Sequence, residues 1–466
     1  MTTLNHLRKR SARAVQFLQP HKYNASNNLR LFLRNESNFV PKRVLIVAKL
    51  SRYHFEKIRE PNLSDEQLKF KLLERGSDYD TMIASHIATK HVKSQVIEVL
   101  KKLNIEYKII NRENLDRSNF IWADLILPIG GDGTFLLASN MIFDDKTPII
   151  GINSFPERSE GYLMLSPKYT TRIPEIFEML KAGHYNVVMR RRIRTTIKGD
   201  NIWDPPFHTH EKGRVVGEEK FYTQDLKQEI SNKLPKKRRL PWLALNEVFI
   251  AEILSARISN LLINLNNEEK YHLVRSSGLC VSTGTGSTSW YRSINTVSPQ
   301  VVKEILSLLD KKQIDNEEIE KISSTFNAGL PFHAEELKLC YSVRDMMVNS
   351  IWPTPKCLQP RGFCKKLTVT SQCYDAGLVL DGGIAVPFNF GTTAVLETYP
   401  EDSLRALTLP DCRIPRDVRQ QNTQSSRSIL CCPCYLIYVS NNYKYKNINL
   451  NIKIYSVNII FYTQIN

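Results

Sequence analysis

The residues best equipped for chemistry are Gly130, Gly131, Asp132, Gly133 and Thr134, directly behind an apolar run at 123–129 and ahead of a helix-competent stretch at 135–142. Three glycines remove side-chain bulk, so phosphate oxygens can approach backbone N–H groups, and a helix start adds partial positive charge. The product is an anion site. Asp132 stands in its middle, and a carboxylate repels phosphate unless it holds a cation or accepts a proton from a hydroxyl. That combination points to phosphoryl transfer onto an alcohol. A tight turn with Asp as turn former is the structural alternative, and the strand before and helix after count against it. The spacing is not GxGxxG, so a Rossmann dehydrogenase has poor support.

Two further segments set polar groups among apolar ones. Within residues 242–250 (WLALNEVFI), Asn246 and Glu247 interrupt an apolar strand. A buried polar group left unpaired costs about 1–3 kcal/mol, so this pair must meet partners or a ligand, and sugar hydroxyls or a base edge would suit both. A strand end capped by turn hydrogen bonds is the alternative. Residues 282–289 (STGTGSTS) follow a short strand at 279–281 and lead into Trp290 and Tyr291. There Thr283, Thr285, Gly286, Ser287 and Thr288 offer backbone N–H groups and adjustable hydroxyls, which is how uncharged loops hold phosphate or ribose. In isolation the segment reads as a flexible linker; its place between structured apolar segments argues otherwise. His208 and His210 lack a nearby third ligand and read as an exposed loop, and Cys431, Cys432 and Cys434 make no convincing metal set.

The elements that must position these residues fall into two textures. An uninterrupted apolar run at 44–50 (VLIVAKL) has the pattern of a parallel strand buried on both faces. A helix-period stretch at 83–103 follows, then strand candidates at 107–110, 123–129 and 148–153. Strand, helix, strand ordering implies a doubly wound α/β domain over 42–185, with ligands at the carboxyl ends of its strands. From about Asn186 the chain turns to short runs rich in Arg, Val, Ile and Thr at 187–197, 242–252, 261–264 and 279–282, a mostly β domain over 186–409. It contains a basic polar insertion at 201–239, ending in Lys236, Lys237, Arg238 and Arg239 and read as a solvated loop. Residues 410–466 form a low-complexity tail with neither helical period nor clean alternation.

Composition sets the outer limits. The 466 residues, 42% hydrophobic and 24% charged, are enough for two or three domains with real cores. The longest strongly apolar stretch, 429–439, is far short of the roughly 20 residues of a spanning helix. With 64 Lys plus Arg against 47 Asp plus Glu, the net charge of +17 suits anionic partners without choosing among them. Part of the surplus sits at the start: Arg8, Lys9, Arg10, Arg13, Lys22, Arg30 and Arg34 precede the first acidic residue, Glu36. That is the pattern of a mitochondrial presequence over residues 1–41, a basic arm touching phosphates or membrane being the alternative. Nucleic-acid binding rests on charge alone and ranks last. The nine cysteines all lie from Cys280 onward without regular pairing, the pattern of a reducing compartment.

Together GGDGT, LNE and TGTGST, in this order and approximate spacing, resemble the NAD kinase family over about residues 42–409, and within it the mitochondrial branch. The resemblance implies an α/β N-terminal doubly wound domain with a mostly β C-terminal one. It implies Asp132 as base or hydroxyl-orienting group for the adenosine ribose 2′-OH of NAD, with Gly130, Gly131, Gly133 and Thr134 shaping the phosphate site. Asn246 and Glu247 would grip NAD, Thr283 to Thr288 would line the nucleotide cleft, and Asn153 matches a nucleotide-contacting position. The same likeness implies ATP and NAD as substrates and a homodimer; phosphoryl transfer calls for Mg²⁺, the basic start for the mitochondrial matrix, and the lack of a long apolar stretch for no membrane insertion. The sequence departs from the family at Ser277, where many relatives carry an acid, and in the long 151–161 loop (GINSFPERSEG), where most have a compact turn. Asp381, Gly382 and Gly383 match a late DG pair and read as a hairpin turn. A lipid kinase sharing the GGDGT turn, or an inactive dinucleotide-binding variant, are the rival readings.

Overall fold

The structure, a computed structural model, describes residues 38–199, 202–203, 206–208, 235–308, 315–348, 351, 358–410, 450–455 and 458–463. Residues 1–37 of the expected presequence, His210, Cys431, Cys432 and Cys434 lie outside these residues.

The apolar runs become a parallel sheet. Strand β1 (Arg43–Ala48) lies between β2 (Glu106–Ile110) and β3 (Leu125–Gly130), parallel to both, with Ile46 opposite Ile109 and Leu127. Every residue of β3, and of β1 after Arg43, is buried, which is why neither alternates with polar residues. Helices α1 (Arg52–Arg59), α2 (Asp65–Glu74) and α3 (Tyr79–Lys102) fill the β1–β2 crossover. The helix expected over 83–103 starts four residues earlier because the Asp78 carboxylate caps it, accepting from the Thr81 N–H at 3.1 Å. Short α4 (Arg117–Trp122) precedes β3, and α5 (Asp132–Ser139) follows it. The fourth strand is shorter than 148–153: only β4 (Ile152–Asn153) pairs along β3, and Ile149 bridges Ile126 on one side and Ala406 on the other. Helix α6 (Ile173–Lys181) packs beneath.

The run at 187–197 is two strands, β5 (Asn186–Arg190) and β6 (Ile193–Lys198), parted at Arg191 and Arg192. Beyond β6 come β7 (Phe207–His208), β8 (Lys237–Ala244), β9 (Glu247–Glu252), β10 (Ser259–Leu265), β11 (His272–Ser276) and β12 (Gly278–Ser282). After helices α7 (Trp290–Asn295), α8 (Pro299–Ser307) and α9 (Asn316–Ala328) the chain continues through β13 (Leu339–Arg344), β14 (Arg361–Cys364), β15 (Lys366–Ser371), β16 (Ala376–Leu380), β17 (Ile384–Pro387) and β18 (Thr393–Thr398). These strands make two antiparallel sheets, β11-β10-β15-β18-β6-β8 and β14-β13-β12-β9-β16-β17-β7. Their facing side chains, among them Ile193, Trp242, Val248, Leu279 and Leu378, form one core. Strand β19 (Leu404–Thr408) pairs with β5, and Ile149 ties it to the parallel sheet, so β5 and β19 both belong with the first layer.

The loop expected at His208 is instead strand β7, with Phe207 and His208 paired to Ala385 and Ile384 of β17, and the structure departs from expectation at two further places. The end of the basic insertion is not a loop: Lys237, Arg238 and Arg239 open β8, and Arg238 is buried with its guanidinium 4.7 Å from the Trp203 ring centroid. Its apolar stem and planar head make it a strand residue despite its charge. The single strand expected over 242–252 breaks at Leu245 and Asn246, where the chain leaves one sheet for the other. In the tail, Leu450–Tyr455 and Asn458–Thr463 form an antiparallel hairpin, a unit by itself.

Candidate active site

The glycine turn lies where β3 ends and α5 begins. Gly131 caps the helix without a side chain, and a Cβ on Gly130 would stand 2.9 Å from both Thr134 Cβ and Lys49 Cβ, so only glycine fits beneath them. Gly133 has open space around its Cα. Asp132, the first helical residue, turns its carboxylate to the far end of the 151–161 loop. Oδ1 accepts from the Leu163 N–H at 2.8 Å and Oδ2 from the Tyr162 N–H at 3.0 Å. Burial pushes the Asp132 carboxyl above its usual range; those two amides and the Arg190 guanidinium pull against this, while Glu160 adds to it. Each oxygen keeps a lone pair free of the amides, so the group can accept a proton.

The long loop is built on Asn153. Its Nδ2 donates to the Ser159 carbonyl at 3.0 Å, its Oδ1 accepts from the Phe155 N–H at 3.1 Å, and Gly161 returns the chain through a left-handed turn at φ +64° where a Cβ would strike the Asn153 amide. Between loop and turn lies a cavity of about 170 Å³ lined by Lys49, Ser85, Gly130, Gly131, Asn153 and Arg158, among others. Two cations beside two glycines that leave the hollow free of side-chain bulk fit phosphate. Lys49 Nζ donates to Ser85 Oγ at 3.4 Å, and crowding lowers its ammonium's pKa although much of its surface stays open to solvent.

Asn246 and Glu247 sit at the break between β8 and β9. The break is held by Asp381, in the hairpin turn between β16 and β17, with φ of +48° followed by Gly382 at +66°. The Asp381 carboxylate accepts from the N–H groups of Leu245 (2.8 Å), Asn246 (2.7 Å) and Glu247 (3.2 Å). Asn246 Nδ2 donates to Ser289 Oγ at 3.2 Å, whereas Asn246 Oδ1 and Glu247 Oε2, on residues each 7% exposed, meet no hydrogen-bond partner. Burial, aided by Asp381, pushes the Glu247 carboxyl up to about 8; burial against three amides leaves Asp381 at about 6. Both the turn reading of Asp381 and the capped strand end are thus present, and the two orphaned oxygens remain for a ligand.

The hydroxyl loop serves largely itself. Thr283 Oγ1 donates to the Leu245 carbonyl at 2.6 Å and accepts from the Gly286 N–H, and Ser287 Oγ donates to the Gly284 carbonyl at 2.6 Å and accepts from the Phe332 N–H. Both residues are fully buried. Thr288 donates within the loop, and Thr285 accepts from Arg190 Nη1 at 3.4 Å. A Cβ on Gly286 would collide with the Asn246 carbonyl, so the loop presses on the Asn246 turn.

Sequence reasoning assigned no role to Lys49, Arg190 or Arg192. Arg192 is fully buried and donates to the carbonyls of Asp402, Ser139, Ile142, Asp144 and Ser403, clamping the C-terminal end of the helix whose first residue is Asp132. The run Arg190, Arg191, Arg192, Arg194 inside a strand pattern is the signal that could have found the two arginines.

A glycine turn carrying a buried carboxylate, a cavity flanked by two cations and a buried polar pair lie together here, a set of groups suited to a nucleotide. A family profile described as ATP-NAD kinase N-terminal domain matches residues 60–182. NAD kinase 2, mitochondrial, of Rattus norvegicus is 35% identical over 383 residues, covering 80% of this chain and 89% of that protein. Its Homo sapiens counterpart is 36% identical over 391 residues, covering 81% and 86%. A crystal structure of yeast NADH kinase complexed with NADH aligns with TM-score 0.48 and 11% identity, over 84% of this chain and 90% of that one. The chain belongs to the NAD kinase family.

Proposed function

We propose that this chain transfers the γ-phosphoryl group of ATP to the adenosine ribose 2′-OH of NAD, giving NADP and ADP, in the mitochondrial matrix. The observation that carries the reading is Asp132: a carboxylate at a helix start inside a glycine turn, held by two loop amides and made more basic by burial. The 2′ oxygen attacks the γ-phosphorus, its proton passes to Asp132, and the bond to the ADP oxygen breaks. A positioned acceptor of this kind is worth about 10²- to 10⁴-fold. The bare turn at Gly130 and Gly131, with Thr134 packed behind it, leaves room for phosphate, while Lys49 and Arg158 balance its charge. Asn246 and Glu247 hold the dinucleotide through their orphaned oxygens, beside Thr285 and Thr288. Asn153, Thr283, Gly286 and Ser287 act by shaping these walls.

Among the described residues no group of three His, Cys, Asp or Glu could cage a metal. With amides, cations and one turn carboxylate at the site, Mg²⁺ would be held by the nucleotide's own phosphates and would supply charge neutralisation at the transferring group. The names of the relatives support a mitochondrial location, and the basic segment before Glu36 supports import. Homodimerisation is part of the proposal by family likeness. Purified chain beginning at Lys42, given NAD, ATP and Mg²⁺, forms NADP detectable by an NADP-specific dehydrogenase; absence of NADP with bound substrates would overturn the reading.

A further inference from the structure

We propose that Asp381 is a positioning residue for nucleotide binding: seated under the turn at 245–247, it aims Asn246 and Glu247 at the nucleotide and holds Glu247 as a neutral carboxyl that donates its O–H to an oxygen of NAD. The inference rests on the reading that NAD occupies this site.

Asp381 takes three successive amides of the turn with its carboxylate, and its own N–H donates to the Glu247 carbonyl at 3.0 Å. Four hydrogen bonds thus join a hairpin turn to a strand break 134–136 residues earlier in the chain. The left-handed backbone at Asp381 and Gly382 is what lets a hairpin present its first turn residue inward; an ordinary side chain there would be strained. Glu247 then faces a different environment. It pairs with Ser282 across β12, and its Oε2 is buried with no donor. The ionisable group acting on it is Asp381, from the hairpin, and Glu247 in turn acts on the Cys280 thiol on β12; neither neighbour is a cation. Arg192, the cation that acts on this cluster, is felt by Asp381.

Two neighbouring carboxyls in a dry site do not both ionise easily. Asp381, with three N–H donors, is the one equipped to carry the charge, and Glu247, with an orphaned oxygen, is the one left protonated. The values of about 6 and about 8 agree with that order. A protonated carboxyl is a donor as well as an acceptor, so Glu247 complements ligand oxygens, of which a dinucleotide has many.

The test is NAD affinity of the full chain by calorimetry from pH 6 to pH 9. Wild-type affinity stays level to about pH 8 and then falls by about tenfold per pH unit as the donor proton is lost. Glu247→Gln, which keeps an N–H donor at the same place, binds NAD within about tenfold of wild type and shows no such fall. Asp381→Asn binds NAD about 10- to 100-fold more weakly at pH 7, with its fall displaced to lower pH because the negative neighbour is gone, and its KM for ATP stays within twofold. A purely structural role for Asp381 would not move the pH profile. A level wild-type profile to pH 9, or loss of binding in Glu247→Gln at every pH, overturns the proposal even if Asp381→Asn fails to fold. If wild type binds no NAD at any pH, the proposed function falls first, a result distinct from binding with a level profile.

Discussion

Replacing Glu247 by Gln should make the protein less sensitive to alkaline pH. In the unfolded chain the carboxyl titrates near 4.5, and in the folded protein burial lifts it to about 8. Between those values the folded state keeps a proton that the unfolded state has released, so stability falls as pH rises. The contribution is fully present below 4.5 and is lost as pH passes about 8. At about 1.36 kcal/mol per unit this interval corresponds to roughly 5 kcal/mol, an upper figure for a nearly dry group. Asp381, raised from 3.8 to about 6, adds a slope of the same sign over a lower window and remains in the variant. Gln is neutral and isosteric, so both proteins should have similar stability near pH 5. Urea unfolding of the full chain from pH 5 to pH 9 should show wild type losing about 3–5 kcal/mol more than Glu247→Gln. Parallel stability curves would refute the reasoning, because they would mean that Glu247 ionises in the folded protein as easily as in water.

Three other perturbations follow from the same geometry. Gly286→Ala drives a methyl into the Asn246 carbonyl; it should cost about 1–3 kcal/mol in urea unfolding and raise KM for NAD more than KM for ATP. Arg192→Met strands five carbonyl acceptors around α5 and should lower stability by about 3 kcal/mol or more, with a fall in kcat beyond what unfolding explains. Lys49→Met removes a cation from the cavity beside Gly130 and should raise KM for ATP about tenfold at low salt, as steady-state kinetics would show, while leaving NAD affinity unchanged.

What could be seen in the sequence was chemistry that is local in the chain. GGDGT is readable because a buried strand ends on the first glycine and a helix starts at the aspartate, all within one contiguous segment. Asn246 and Glu247 stand out because they are polar residues in an apolar run, but the strand break under them is made by Asp381, 134–136 residues away, and no local pattern announces it. The same holds for Arg192, whose partners lie 48–53 residues before it and 210–211 after it. Thr283 and Ser287 look like ligand hydroxyls in a Gly-rich loop, yet the loop folds back so that its own carbonyls receive them. Residues 404–408 give no sign that they return to the first sheet, because they pair with β5 and bridge Ile149, both far earlier in the chain. Arg238 misled for another reason: a run of four cations suggests solvent, whereas a tryptophan face and a carbonyl can take a guanidinium into the interior.

The most direct test is NADP formation by Asp132→Asn set beside its affinity for NAD. An amide of the same size keeps one acceptor oxygen for the loop amides but cannot take the ribose proton, so turnover should fall by about 10²-fold or more with NAD binding within a few-fold of wild type. Turnover at the wild-type rate, with NAD bound normally, would contradict the account.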